Sequence, residues 1–140
     1  MAGKILLEVV TPERLLLSQE VDEVIAPGSE GEFGVLPGHC HFLSTLRIGE
    51  LRYKAQDVWH YMSVLWGYAE VTPAKVTVMA EIAEKAEDID VERAQQAVER
   101  AEQRLQAGGL PSEVKEAQIS LEKARLRKKI AERARKAGHS

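Results

Sequence analysis

The chain is poor in cysteine, in aromatic residues and in long apolar runs. With a single cysteine in 140 residues it cannot close an internal disulfide, so the fold is expected to rest on a hydrophobic core in a reducing interior. No stretch combines the charged start, apolar run and small-residue cleavage site of a signal peptide. The longest apolar runs fall far short of the roughly 18–20 residues that cross a bilayer, and a soluble chain is expected. No glycine-rich loop ends in Lys-Ser or Lys-Thr, so the phosphate cradle of a P-loop hydrolase is absent from the sequence. Nor does one sign of charge dominate: 22 acidic side chains stand against 19 basic ones, which argues against bulk disorder and against nucleic-acid binding by the whole chain.

Two halves with different periods are present. Across residues 4–80, the runs "KILLEVV", "VDEVIA", "GELRYK", "VWHYMSVLWGYAEV" and "KVTVMA" are rich in β-branched and aromatic residues. Between them stand turn formers such as "TPE", "PGSEG", "LPGH", "RIGE" and "TPAK". In the longest run, Val58, Met62, Val64, Trp66 and Tyr68 share one parity, which predicts a strand with that face on a core. Many short strands without an intervening helix predict an all-β, antiparallel sandwich or barrel over residues 1–86. Beyond it, Ala, Glu, Lys, Arg, Gln and Leu take over and the aromatic residues cease. Asp88 and Asp90 are candidate N-caps, and Ala94, Ala97, Val98, Ala101 and Leu105 fall on one helical stripe. Gly108 and Gly109 stop that helix, and Ser112 is expected to cap a second one, so residues 87–140 form an antiparallel α-helical hairpin. The second helix carries two stripes, Val114, Ala117, Leu121 and Ala124 on one side and Ile119, Leu126 and Ile130 nearly opposite. Its end is basic: residues 123–136 hold eight Lys or Arg and one acid, Glu132, which suits an acidic surface better than nucleic acid, since no aromatic residues interleave for stacking.

The candidate chemistry gathers in "GEFGVLPGHCH", residues 31–41. His39, Cys40 and His41 raise a metal or thiol site, but a closed zinc site needs four ligands and no second His/Cys pair stands at ligand spacing. Neighbours on a strand point to opposite faces, so Cys40 and its histidines make a poor nucleophile–base pair. The glycines suit tight turns of positive φ. A loop presenting Glu30, Glu32, Phe33 and Leu36 is suited to contact a partner.

"GEFGVLPGH", the later "GYAEV", "KVTVMAEIAEKAEDID" and a terminal helical hairpin, in that order, resemble the epsilon subunit of the bacterial F-type ATP synthase, the counterpart of the mitochondrial delta subunit. The resemblance covers essentially the whole chain. It implies a non-catalytic subunit of the central stalk, peripheral on the cytoplasmic face of the bacterial inner membrane, turning with gamma and the c-ring. It implies docking of the loop through Glu32 and Phe33, with His39 beside gamma. It also implies a regulatory hairpin that extends to the alpha and beta subunits and restrains ATP hydrolysis, for which Lys123, Arg125, Arg127, Lys128, Arg133 and Arg135 are the candidate beta-subunit contacts. The chain departs from the family where Cys40 and His41 replace a common Ala-Pro and Trp66-Gly67 replaces Gly-Gly.

"IDVERA", residues 89–94, resembles the motif by which some bacterial epsilon subunits bind ATP without hydrolysing it. The implied set is Glu84, Ile89, Asp90, Arg93, Arg100, Lys123 and Arg127, with Lys123 where the pattern has arginine. A carboxylate can accept from an adenine amino group and arginines can pair with phosphates, so the implied ligand is a regulatory ATP and no obligatory cofactor or metal is expected. The plain alternative is helix capping by Asp90. Two other classes compete with the rotor subunit: a stand-alone ATP-sensing module, and a metal or thiol enzyme built on His39, Cys40 and His41.

Overall fold

Eight strands occupy the N-terminal part: β1 (Ile5–Val10), β2 (Leu15–Val21), β3 (Glu23–Gly28), β4 (Gly31–Val35), β5 (Phe42–Leu46), β6 (Gly49–Ala55), β7 (Val58–Val71) and β8 (Lys75–Lys85). The computed structural model describes residues 3–38 and 41–136, and they form two units divided between Lys85 and Ala86. Neighbouring strands run in the order β2-β1-β8-β7-β5-β3-β4, and β6 pairs with β3 and β7. Every pair is antiparallel except β1 with β8. That one parallel pair departs from the expected antiparallel pattern. It is possible because β1 opens the unit and β8 closes it, leaving ample chain for the crossover a parallel pair needs.

Alternation buries Ile5, Leu7 and Val9 of β1, Val24 of β3, Leu51 of β6 and Val76 and Val78 of β8 in one sandwich core. On β7 the expected parity holds only halfway. Met62 and Val64 are buried in that core, but further along Ala69 and Val71 face it, while Val58, Trp66 and Tyr68 are exposed. The switch falls at Trp66 and Gly67, whose φ angles are 49° and 134°. Before this point β7 pairs with β6, and after it with β5. The strand thus turns a corner between layers, and the positive-φ pair reverses which side chains point inward. Gly67 has no substitute here, since a Cβ would lie 1.9 Å from the Met79 carbonyl oxygen.

The helical unit comprises a 3-10 turn (Ala86–Asp88), α1 (Val91–Ala107) and α2 (Pro111–Lys136). Asp90 caps α1, its Oδ1 accepting from the Arg93 N–H at 3.2 Å. Asp88 lies in the 3-10 turn instead of capping. Gly108, at φ 70°, ends α1 and donates to the Leu105 carbonyl. Ser112 does not cap α2. Pro111 is already the first helical residue, and Glu113 reaches back to accept from the Leu110 N–H at 2.9 Å, the reciprocal half of a capping box. The helices run antiparallel, with Arg125–Glu102 at 3.3 Å and Arg104–Glu116 at 3.8 Å across them. Their seam is small: Val98 and Ala101 pack on Leu121 and Ala124, flanked by Ala97 and Leu105.

Candidate functional site

The sequence-predicted residues fall into two sets, one in each unit. In the sandwich, β3 and β4 form a hairpin closed by Ser29 and Glu30, with Gly28 opposite Gly31. Gly31 and Gly38 have φ of 130° and 83°, as expected of turn glycines, whereas Gly34 is an extended strand residue. Gly28 is extended too and is kept small by a close approach, since a Cβ would meet the Gly31 carbonyl oxygen at 2.7 Å. The turn is pinned from β5: the Ser29 N–H donates to the Thr45 carbonyl at 2.9 Å, and the Thr45 hydroxyl donates to Ser29 Oγ at 2.7 Å. At the other end of the loop, the Gly38 N–H donates to the Pro73 carbonyl at 2.9 Å. The segment expected as a loop is therefore largely strand, anchored at both ends.

Glu32 stands on β4 opposite Pro27, exposed, and pairs with Arg52 of β6 at 3.4 Å. Phe33 is half-buried against the core rather than presented to solvent, its ring 4.9 Å from that of Phe42. The two rings, with Leu43 and Tyr68, wall an open groove of about 740 Å³ beside the turn. Leu36 is exposed. His39 and Cys40 lie outside the described residues. Among the described residues no group of three or more His, Cys, Asp or Glu could hold a metal ion.

In the helical unit Ile89 is buried, its N–H donating to the Ala86 carbonyl at 3.2 Å, and it lines a cavity of about 230 Å³ with Val91 and Ala131. Asp90 already serves the helix as its cap. Arg93 and Arg100 are exposed and, seven residues apart, share a face of α1. Lys123 and Arg127 are half-buried neighbours on α2, on the stretch whose Arg125 pairs with Glu102 of α1. Arg125 and Arg135 are exposed, and Lys128 and Arg133 half-buried. Glu84 lies in the other unit, on β8, in register with the buried Ser63 of β7.

Sequence reasoning passed over Glu50 and Arg52. Their signal was present in "GELRYK", where alternate positions on a strand share a face. What no local pattern shows is that β3 lies between this strand and Glu32.

A β-sandwich with a pinned surface hairpin, followed by a separate helical pair, defines a two-domain class of protein, one domain all-β and the other all-α. Family models describe both parts: the β-sandwich domain of the ATP synthase delta/epsilon chain matches residues 4–86, and its long α-helix domain matches residues 87–132. The ATP synthase epsilon chain of Syntrophobacter fumaroxidans is 52% identical over 133 residues, spanning 95% of this chain and 99% of the relative. The fold is shared with a chain of the Euglena gracilis mitochondrial ATP synthase assembly of OSCP, F1 and c-ring, at TM-score 0.79 and 24% identity over 96% of this chain and 82% of that one. It is shared also with a chain of the Tetrahymena thermophila mitochondrial ATP synthase central stalk and c-ring, at TM-score 0.59 and 13% identity over 93% and 98%. The chain belongs to the ATP synthase delta/epsilon family. Among the described residues no helix is long and apolar enough to cross a membrane.

Proposed function

We propose that the chain is a non-catalytic rotor subunit of the central stalk of an F-type ATP synthase, held with gamma on the c-ring at the cytoplasmic face of the bacterial inner membrane. The observation that carries this reading is the contrast in anchoring between the two predicted contact sets. The β3–β4 hairpin is pinned by hydrogen bonds from β5 and by Arg52, a rigid element suited to transmit torque. The helical pair has an alanine-rich seam that can be repacked at modest cost. In this reading Glu32 and Phe33 meet the rotor, His39 completes the contact with gamma, and the hairpin restrains ATP hydrolysis by extending toward the beta subunits through Lys123, Arg125, Arg127, Lys128, Arg133 and Arg135. ATP held by Glu84, Ile89, Asp90, Arg93, Arg100, Lys123 and Arg127 would stabilise the hairpin in its paired form.

Removing the chain after Glu87 tests the regulatory half. The truncated subunit should still join the enzyme, and ATP hydrolysis should rise in the reconstituted complex; hydrolysis equal to that with the full chain would refute inhibition by the hairpin. Calorimetric titration of the isolated chain with ATP, beside Arg93→Ala and an ADP control, tests the ligand. Saturable binding lost in the variant supports it. An absence of heat at millimolar ATP leaves "IDVERA" as the helix cap it already is.

A further inference from the structure

Glu50 and Arg52 have no role in the reading above, yet together they govern how Glu32 is presented. The two residues are alternate on β6 and share a face. Arg52 stands opposite Ile25 of β3, and on the other side of β3 runs β4, carrying Glu32. The guanidinium reaches across: its Nη1 is 3.0 Å from Glu50 Oε1 and 3.4 Å from Glu32 Oε2. Exposure is graded along this row, from 7% at Glu50 through 25% at Arg52 to 46% at Glu32. A carboxylate as buried as Glu50 is costly to desolvate without a cation beside it, and the shorter of the arginine's two contacts goes to it. The longer contact to Glu32 uses the same nitrogen. Glu32 is therefore oriented without being neutralised, and the row keeps one net negative charge at its exposed end.

We propose that Arg52 is a positioning residue for the docking carboxylate, and that Glu50 makes it one by occupying the arginine's charge. The partner group such an arrangement accepts is cationic, a lysine or arginine side chain on a loop of the rotor. The inference rests on the reading of the β3–β4 hairpin as a docking element, and its test separates the two. A gamma–c-ring assembly stripped of this subunit is titrated with full-length variants at low and high salt.

Glu32→Gln comes first: weakened binding with a flatter salt dependence supports the docking reading, and unchanged binding ends both that reading and the inference. The double variant Glu50→Gln/Arg52→Gln removes the part-buried pair while leaving the net charge as it was. Binding is expected to weaken by about three- to fivefold with the salt dependence retained, the range of an exposed ion pair. In the Glu32→Gln background the same double change should have no further effect. Glu50→Gln alone, which turns the whole arginine charge onto Glu32, should weaken binding and flatten its salt dependence. Binding by the double variant equal to wild type, or a loss of the same size with and without Glu32, overturns the inference and leaves the docking reading standing. If the double variant does not fold, Arg52→Lys carries the test. A lysine keeps the charge and loses the planar fork, so a loss of about twofold that depends on Glu32 is expected, and no loss overturns the proposal.

Discussion

The sandwich and the helical pair are built from different materials. In the first, Ile5, Leu7, Leu51, Met62 and six or more valines are almost completely removed from water. In the second, the seam joining the helices rests on Val98 and Leu121 with alanines between them and Leu105 at its edge, and among the described residues Ile130 is the one large side chain of this unit fully removed from water. At roughly 25 cal/mol per Å² of apolar surface, an alanine contributes little, and a seam of one leucine and one valine supplies only about 3–6 kcal/mol. Conformational entropy opposes this along both helices. The difference teaches that two parts of one chain can be held by very unequal amounts of large apolar surface, and that the helix seam is the weaker of the two.

The sharpest way to break that comparison is to damage each core in turn. Leu51→Ala should cost the sandwich about 3–4 kcal/mol, as large-to-small changes at fully buried leucines do. Leu121→Ala should abolish the helical pairing and leave the sandwich's unfolding midpoint where it was, which urea titration followed by tryptophan fluorescence and by helical circular dichroism would resolve. A single transition shifted by both changes would mean that the two units share one cooperative core.

Gly67→Ala comes next. The added methyl meets the Met79 carbonyl and the backbone sits at φ 134°, so a loss of about 2–4 kcal/mol in the sandwich is expected. A thermal midpoint within a degree of wild type would show that the corner of β7 does not depend on this glycine.

A smaller effect is expected at Asp90. Replacing it with alanine removes the cap of α1 and should lower helical stability by about 1 kcal/mol, while Asp90→Ser should retain most of it. If the two variants are equally destabilised, the carboxylate does more than cap, and a ligand role for it gains weight.

The smallest effect concerns acid. The Lys75 ammonium, 2.8 Å away, holds the Glu8 carboxyl below the usual carboxylate range, and Lys4 does the same for Asp22. Both groups titrate lower in the folded chain than in the unfolded one, so the stability they confer is present above the ordinary carboxylate pKa and is lost as pH falls below about 4. Both are at the surface, and solvent screening keeps the contribution small. The combined Glu8→Gln/Asp22→Asn variant should lose less thermal stability than wild type between pH 6 and pH 3. Equal losses would remove these pairs from the account of acid sensitivity.

The helical half was the more legible, because its signals are local. Asp90, Gly108 and the alanine stripe act within a few residues of themselves; the expected caps that fail are Asp88, which the 3-10 turn takes up, and Ser112, since Glu113 caps the preceding amide from inside the helix. In the sandwich, the glycines of "GEFGV" point to a turn, whereas β3 recruits the segment as a strand through pairing. The loop pattern suggests that Phe33 is presented to a partner, and Phe42 and the core take part of it away.

By itself the sequence determined the order of the two halves, the helix limits and the alternation that makes the sandwich, because periods of two and of 3.6 residues and the dihedral preferences of Gly, Pro and Asp are properties of short stretches. Only the tertiary structure decided that β7 reverses its inward face at Trp66 and Gly67, and that Arg52 divides itself between Glu50 and a carboxylate 20 residues away in the chain. Both depend on which strands become neighbours. That choice is made by the burial of the core as a whole, and no single segment carries it.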